Sequence, residues 1–519
     1  MDLFEEWRMD DVHNQRQKKA APPQQQMQLD HEEEDIAPMF TLQRLDWSVE
    51  RCAPPPPPPS KSGLKRLPKE ISKAVVVNRL FIFGTTDGTI LRWNMDGSGD
   101  CEEIELTKKP DDNIKHLFVD PTGNHVIASL KNGESFYLHS RSTKPKKISK
   151  LQGSIEAVGF DKALITDTST KSFLVGTSSG RLYEMAFEIT GKESSGKERV
   201  CQLVHNLDES STGGITSIYF ETFSSEGGGG GEGDASVVDG LHQLPDEHHP
   251  GSSSNSSSIG RASLVHATRS RRLFVMCTTS SPTRLYHFLG SSSCSQLFQD
   301  YKASGASSFV ELPGSVERSE LLFCQNSNKK TTILPDRNQA FGLLTKQGMY
   351  HGSLLLNNAS SATASSDGVL VECGMVPFIH RQYQQRRAPI SIIMTEFHFL
   401  LLYSDSLVVQ SKISGEVQQE ENLFLLLTSS SEDSGEAVGF ARDQERNLLW
   451  LVTTTGLFQI TVTQEDRVAW QLHLDKAVRL QDGRLFDIAH QFCKTEVSQS
   501  VSLFVAVAVS VFVSVSVYL

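Results

Sequence analysis

A pattern of apolar run, Thr/Gly-rich turn and second apolar run recurs along the chain, and it restricts the possible folds more than any other feature. It appears as LFIFGTTDGTILRW (Leu80 to Trp93), HVIASLKNGESFYL (His125 to Leu138), FLVGTSSGRLYEM (Phe173 to Met185), FGLLTKQGMYHGSLLL (Phe341 to Leu356) and LLWLVTTTGLFQI (Leu448 to Ile460). Each reads as a β-hairpin: the arms carry β-branched and aromatic residues, and a turn glycine supplies the positive φ that a tight reversal requires. The turn glycines Gly88, Gly133 and Gly180 are 45 and 47 residues apart. That period is the length of one four-stranded blade, so repetition alone points to a β-propeller.

Counting hairpins gives seven blades, placed near 74–106, 114–138, 155–189, 213–290, 305–356, 390–417 and 437–462. In the second, DPTGNH (Asp120 to His125) reads as a turn between strands. The fourth is interrupted by a Gly/Ser-rich insertion at about 224–262, expected to be a disordered loop of the kind a rigid blade tolerates. Residues 1–70 read as a disordered Gln/Pro-rich leader, with Gln24 to Gln26, the acidic run Glu32 to Asp35 and the prolines Pro54 to Pro59. Inside it, Met39 to Glu50 is locally apolar and fits an edge strand or a short docking segment. The residues leave open whether blade one is closed by this segment or by a C-terminal strand. The expected propeller therefore covers 71–465.

After Asp466 the apolar spacing changes to three and four. Leu472, Leu474, Ala477, Val478 and Leu480, then Leu485, Phe486, Ile488, Ala489 and Phe492, predict a helical hairpin over 466–496 that turns at Asp482-Gly483 and looks like the start of an α-solenoid. The last stretch, 497–519, is an apolar Val/Ser tail. Three readings compete for it: a gene-model artefact, which we place first, a tail anchor, which we place second, and an aggregation-prone β segment.

Composition narrows the functional classes. The net charge of −12 is made from both signs, with no basic face of the sort nucleic acid requires. The cluster Lys144, Lys146, Lys147 and Lys150 reads as a solvated loop, with a contact to anionic headgroups as the functional alternative. The eight cysteines are scattered without CxxC or zinc-ligand spacing, which indicates a reducing compartment and thiols used as small apolar residues. The acidic N-terminus has no secretory h-region, so the expected location is cytoplasmic. His242, His248 and His249 have no partner cysteines and are not read as a metal site. GxSxG, Walker A, strand-linked GxGxxG and HExxH are all missing. Asp87-Gly88 and Asp367-Gly368 are turn dipeptides. Glu396 and His398, in TEFHF, would share one face of a strand and so offer an acid/base pair; a polar stripe on a blade is the reading we take. No catalytic, cofactor or metal residue is assigned, and the chain is read as non-enzymatic.

GTTDGTILRWN, LVGTSSGRLYEM, TSSPTRLYHF, GMYHGSLLL and above all PISIIMTEFHFLLLYSDSLVV (Pro389 to Val409) together resemble the N-terminal region of the deep-orange family, the vacuolar protein sorting-associated protein 18 group. The stretch Trp470 to Lys494 resembles the start of that family's clathrin-type solenoid. The resemblance implies a non-catalytic subunit of the HOPS and CORVET tethering complexes. Such a subunit would work in vesicle docking, fusion and sorting to the vacuole or lysosome, peripheral on endosomal and vacuolar membranes. The implied partners are other tethering subunits and, through the complex, Rab GTPases and SNAREs. The family's long solenoid and RING-type zinc cluster are not in this sequence. A propeller scaffold of another class, such as a WD-repeat ubiquitin-ligase receptor, is the rival; it calls for GH…WD signatures, which Arg92-Trp93 only approaches.

Overall fold

A computed structural model describes residues 38–52, 69–97, 101–107, 112–190, 193–207, 213–224, 271–290, 293–304, 309–315, 319–325, 339–356, 368–379, 388–428, 435–463, 465–480 and 483–496. The proline run, most of the leader, the Gly/Ser insertion with its histidines and the Val/Ser tail lie outside them.

The strands form seven four-stranded antiparallel sheets, the blades of a β-propeller. Blade one spans 71–105, two 114–148, three 155–206, four 215–311, five 321–377 and six 391–422. Blade seven combines 437–462 with an outer strand from the other end of the chain, Phe40–Ser48. This closing strand pairs antiparallel with Gly456–Val462, from Phe40 opposite Val462 to Arg44 opposite Phe458, with an irregularity before Ser48 meets Gly456. The N-terminal apolar segment is thus a propeller strand and completes blade seven; blade one is closed by its own outer strand, Cys101–Glu105.

Burial explains the composition of each position within a blade. The second strands Leu80–Thr85, His125–Leu130 and His398–Leu402 are buried along essentially their whole length, because a neighbouring blade covers each face. Outer strands are half-covered and polar, as in VQQEEN (Val417–Asn422). The apolar pattern therefore stops before them. Blade three extends past its expected end to include Glu193–Asn206. Blade five runs over 321–377 rather than 305–356, and Phe309–Glu311 belongs to blade four. The helix Cys294–Ser304 (α1) packs beside blade four, and a short helix, Leu423–Thr428 (α2), follows blade six.

The repeated turn lies between the second and third strands. Its threonine hydroxyl bonds both the N–H and the C=O across the turn: Thr85 with Thr89 (3.0 and 2.9 Å), Thr345 with Gly348 (3.2 and 2.8 Å) and Thr453 with Gly456 (2.9 and 3.2 Å). Gly88 and Gly180 take φ of 79° and 73°, the left-handed region that a Cβ would strain.

Each interface between neighbouring blades is its own apolar core, giving seven such clusters around the ring. The seam between blades seven and one is aromatic. Trp47 of the closing strand stacks on Phe83 at 4.5 Å and lies 5.3 Å from Trp93, while Phe81 meets Trp450 edge-on at 5.3 Å. At the other side of blade seven, the Gln419 amide holds the closing strand at both polar atoms of Phe40, accepting from N–H at 3.1 Å and donating to C=O at 2.9 Å. Trp47→Ala should therefore destabilise the fold by about 3–5 kcal/mol in denaturant unfolding. Leu203→Ala, at a side chain 52% exposed, should change stability by less than about 0.5 kcal/mol.

Candidate functional site

Two places combine polar groups with shape: the central channel, and a junction between blade six and the C-terminal helices. The channel is a cavity of about 910 Å³ lined by the first strands of the blades. Its wall carries Glu156, which accepts from Lys115 at 2.7 Å on each carboxylate oxygen, from Ser154 at 2.7 Å, and is bridged to His116 Nε2 at 2.7 Å. Burial alone would raise the Glu156 pKa; the bonds from His116, Lys115 and Ser154 outweigh it and hold the carboxyl at about 2. Lys162 of blade three donates to Gln444 of blade seven at 2.6 Å, linking two blades that are not neighbours in the ring. Tyr219 hydroxyl bonds Glu221 at 2.6 Å and Gln339 at 2.7 Å. These groups hydrogen-bond to one another, which suits a structural channel wall.

The junction is built on TEFHF. Ser391–Met394 and His398–Leu402 are the first two strands of blade six, and Thr395 to Phe397 is the turn between them. Glu396 is therefore a turn residue and does not share a strand face with His398, which corrects the shared face expected of both the polar stripe and the acid/base alternative. The Thr395 and Glu396 carbonyls accept from Lys412 at 3.3 and 2.9 Å. The carboxylate that meets His398 is Glu465, the first residue of the helix Glu465–Leu480 (α3), which begins just after blade seven's third strand ends. Glu465 Oε1 takes the His398 ring nitrogen Nδ1 at 3.0 Å, the Phe397 N–H at 2.9 Å and the Thr395 hydroxyl. Burial would raise the Glu465 pKa, but His398 and Thr395, followed by the Phe397 N–H, bring it below the ordinary carboxylate value.

Further along α3, His473 meets the Phe397 ring edge-on at 6.4 Å, and Arg479 reaches Glu416 of blade six at 3.6 Å. His351 of blade five lies 5.7 Å from the Phe399 ring. Burial, with the Lys476 charge nearby, lowers both His473 and His351 to about 4, and Lys412 adds to the effect on His351. A second helix, Gly483–Glu496 (α4), follows. The assembly fixes the start of a helical element on one face of the propeller through a buried carboxylate whose Oε1 takes three partners. Sequence reading singled out TEFHF but not its partner: Glu465 lies 67 residues beyond His398 and carries no local signature.

Three lysines of the cluster bond groups within the protein. Lys147 pairs with Glu134 at 2.6 Å, Lys150 with Glu198, and Lys146 donates to the Gly196 carbonyl at 3.0 Å. Arg92 is buried and donates to the carbonyls of His139 and Ser140 at 3.0 and 3.2 Å, tying blade one to blade two. Among the described residues no group of three or more His, Cys, Asp and Glu side chains forms a metal site, and no helix is long and apolar enough to cross a membrane.

The family model described as "Pep3/Vps18/deep orange beta-propeller domain" matches residues 56–232 and 252–462. The chain belongs to this family. "Vacuolar sorting protein 18" of Arabidopsis thaliana is 28% identical over 408 residues, covering 77% of this chain and 35% of the relative. "Vacuolar protein sorting-associated protein 18 homolog" of Danio rerio is 25% identical over 472 residues, covering 89% and 39%. The Caenorhabditis elegans homolog of the same name is 23% identical over 426 residues, covering 78% and 38%. The chain thus spans between a third and two fifths of the length of these relatives. The Pep3/Vps18 match ends at residue 462, so Glu465 stands just past the propeller domain and grips it from the helical side.

Removing that grip should be costly. Glu465→Ala leaves His398 and the Phe397 N–H buried without their acceptor and should cost about 3 kcal/mol, with faster amide exchange in α3 and little change in blades two and three. Acid should loosen the same place. A histidine held near pKa 4 when folded, against 6.5 when unfolded, stabilises the fold above pH 6.5 and loses that contribution as pH falls toward 4. Moving from pH 7 to pH 5 should cost on the order of 1–2 kcal/mol for each of His351 and His473. His473→Leu should flatten the pH dependence of exchange in α3.

Proposed function

We propose that this chain acts as the propeller region of a non-catalytic subunit of an endosomal and vacuolar membrane-tethering complex of the HOPS/CORVET type. It would serve vesicle docking and fusion and protein sorting to the vacuole or lysosome. The observation that carries this reading is the Pep3/Vps18 match along almost the whole propeller, together with relatives named for vacuolar sorting. The geometry supports a scaffold role. A closed ring of seven independent cores presents its turns on two rigid faces, and the buried Glu465 couples one face to the following helices. The acid/base pair suggested by TEFHF is separated, with His398 committed to Glu465 and Glu396 placed in the turn. The partners we infer are other tethering subunits and, through the complex, Rab GTPases and SNAREs. Membrane association would be peripheral, on late endosomes and the vacuole or lysosome.

Affinity purification from the native organism with an antibody against the propeller, read by mass spectrometry, tests this reading. Co-recovery of the other tethering subunits is expected. Recovery of cullin-type ligase components, or of the chain with no tethering subunit, would overturn it.

A further inference from the structure

The seam that closes the ring contains two thiols. Cys52 ends the short 3-10 turn Val49–Cys52, directly after the closing strand, and is buried. Cys101 opens the outer strand of blade one and is partly exposed. The two belong to the same apolar cluster, together with Trp47 and Trp93. Both are free, and the turn that Cys52 ends packs against the strand that Cys101 opens. The Lys69–Glu103 ion pair lies beside them.

We propose that Cys52 and Cys101 are a disulfide-forming modification site whose oxidation staples the closing strand to blade one across the seam. The local chemistry divides the two roles. The neighbouring Cys101 thiol acts first to lower the Cys52 pKa; burial and the Glu103 charge oppose it, and Trp47 and the Lys69 charge reinforce it. The neighbouring Cys52 thiol, with burial, raises Cys101, which keeps its proton. With hydrogen peroxide as oxidant, the Cys52 thiolate attacks one peroxide oxygen. The O–O bond breaks, Cys52 becomes a sulfenic acid, and the departing hydroxide takes a proton to leave as water. The Cys101 sulfur then attacks the Cys52 sulfur, loses its proton and displaces the hydroxyl as a second water. Two thiols are oxidised by two electrons and one peroxide is reduced to two waters. The closing strand, otherwise held to the ring by hydrogen bonds and packing, gains a covalent tie between blades seven and one.

The test uses the full chain, reduced and then exposed to a small molar excess of hydrogen peroxide. Remaining thiols are alkylated after denaturation and the peptides read by mass spectrometry. A cross-linked pair joining the Cys52 and Cys101 peptides is expected, with Cys277 and Cys324 still alkylated. Thermal unfolding of the oxidised chain should be shifted upward by several degrees, and Cys52→Ser and Cys101→Ser should each show no peroxide-dependent shift from its own reduced midpoint. Recovery of Cys52 and Cys101 both alkylated, or of the exposed Cys373 oxidised in their place, would overturn the proposal. An upward shift that persists in Cys101→Ser would do the same.

Discussion

Pairing between the first and last strands of the ring is the interaction on which the rest of this structure depends. Every blade is a thin sheet whose two faces must each be covered by a neighbour, so the packing completes itself only when the last blade meets the first. Phe40–Ser48 makes that meeting possible: it hydrogen-bonds to the end of blade seven and inserts Trp47 among the aromatics shared with blade one. The Gln419 amide fastens the same strand to blade six. Three blades thus converge on nine residues drawn from the opposite end of the chain. Because a strand of this kind buries little on its own, its order is a property of the closed ring rather than of its sequence.

Closure has a second consequence at the channel and at the helical junction. With the ring fixed, turns from different blades hold constant positions, so side chains far apart in sequence can saturate one another, as Lys162 and Gln444 do. The same rigidity lets α3 carry a carboxylate into a preformed socket of three donors on blade six. A buried charge is tolerated there because its three donors are held by the turn and second strand of blade six. For the tethering role we propose, a helix clamped in this way would transmit the orientation of the propeller to whatever follows it.

The parts of this fold legible in the sequence were those buried on both sides. LFIFGT, HVIASL and LLWLVT announce themselves because nearly every side chain in them is covered, and their Thr/Gly turns recur for one physical reason, the paired hydroxyl bonds across the reversal. Outer strands such as Glu193–Asn206 and Val417–Asn422 are polar and half-exposed, so blade ends were drawn too short. TEFHF stood out as an unusual string, yet its meaning was hidden. The turn at Glu396 breaks the alternation that a strand reading assumes, and the partner Glu465 looks like any helix-initiating acid. The cysteines looked scattered for a similar reason: 49 residues separate Cys52 from Cys101, and only the ring seam brings them together.

Hydrogen exchange of the native full chain, followed by mass spectrometry for the peptides covering Phe40–Ser48 and Gly456–Val462, tests ring closure most directly. Closure through this strand makes the amides of the two segments exchange together and slowly, opening only with the fold as a whole. Rapid exchange across Phe40–Ser48 while Gly456–Val462 remains protected would contradict it, because blade seven would then stand without the strand on which the seam depends.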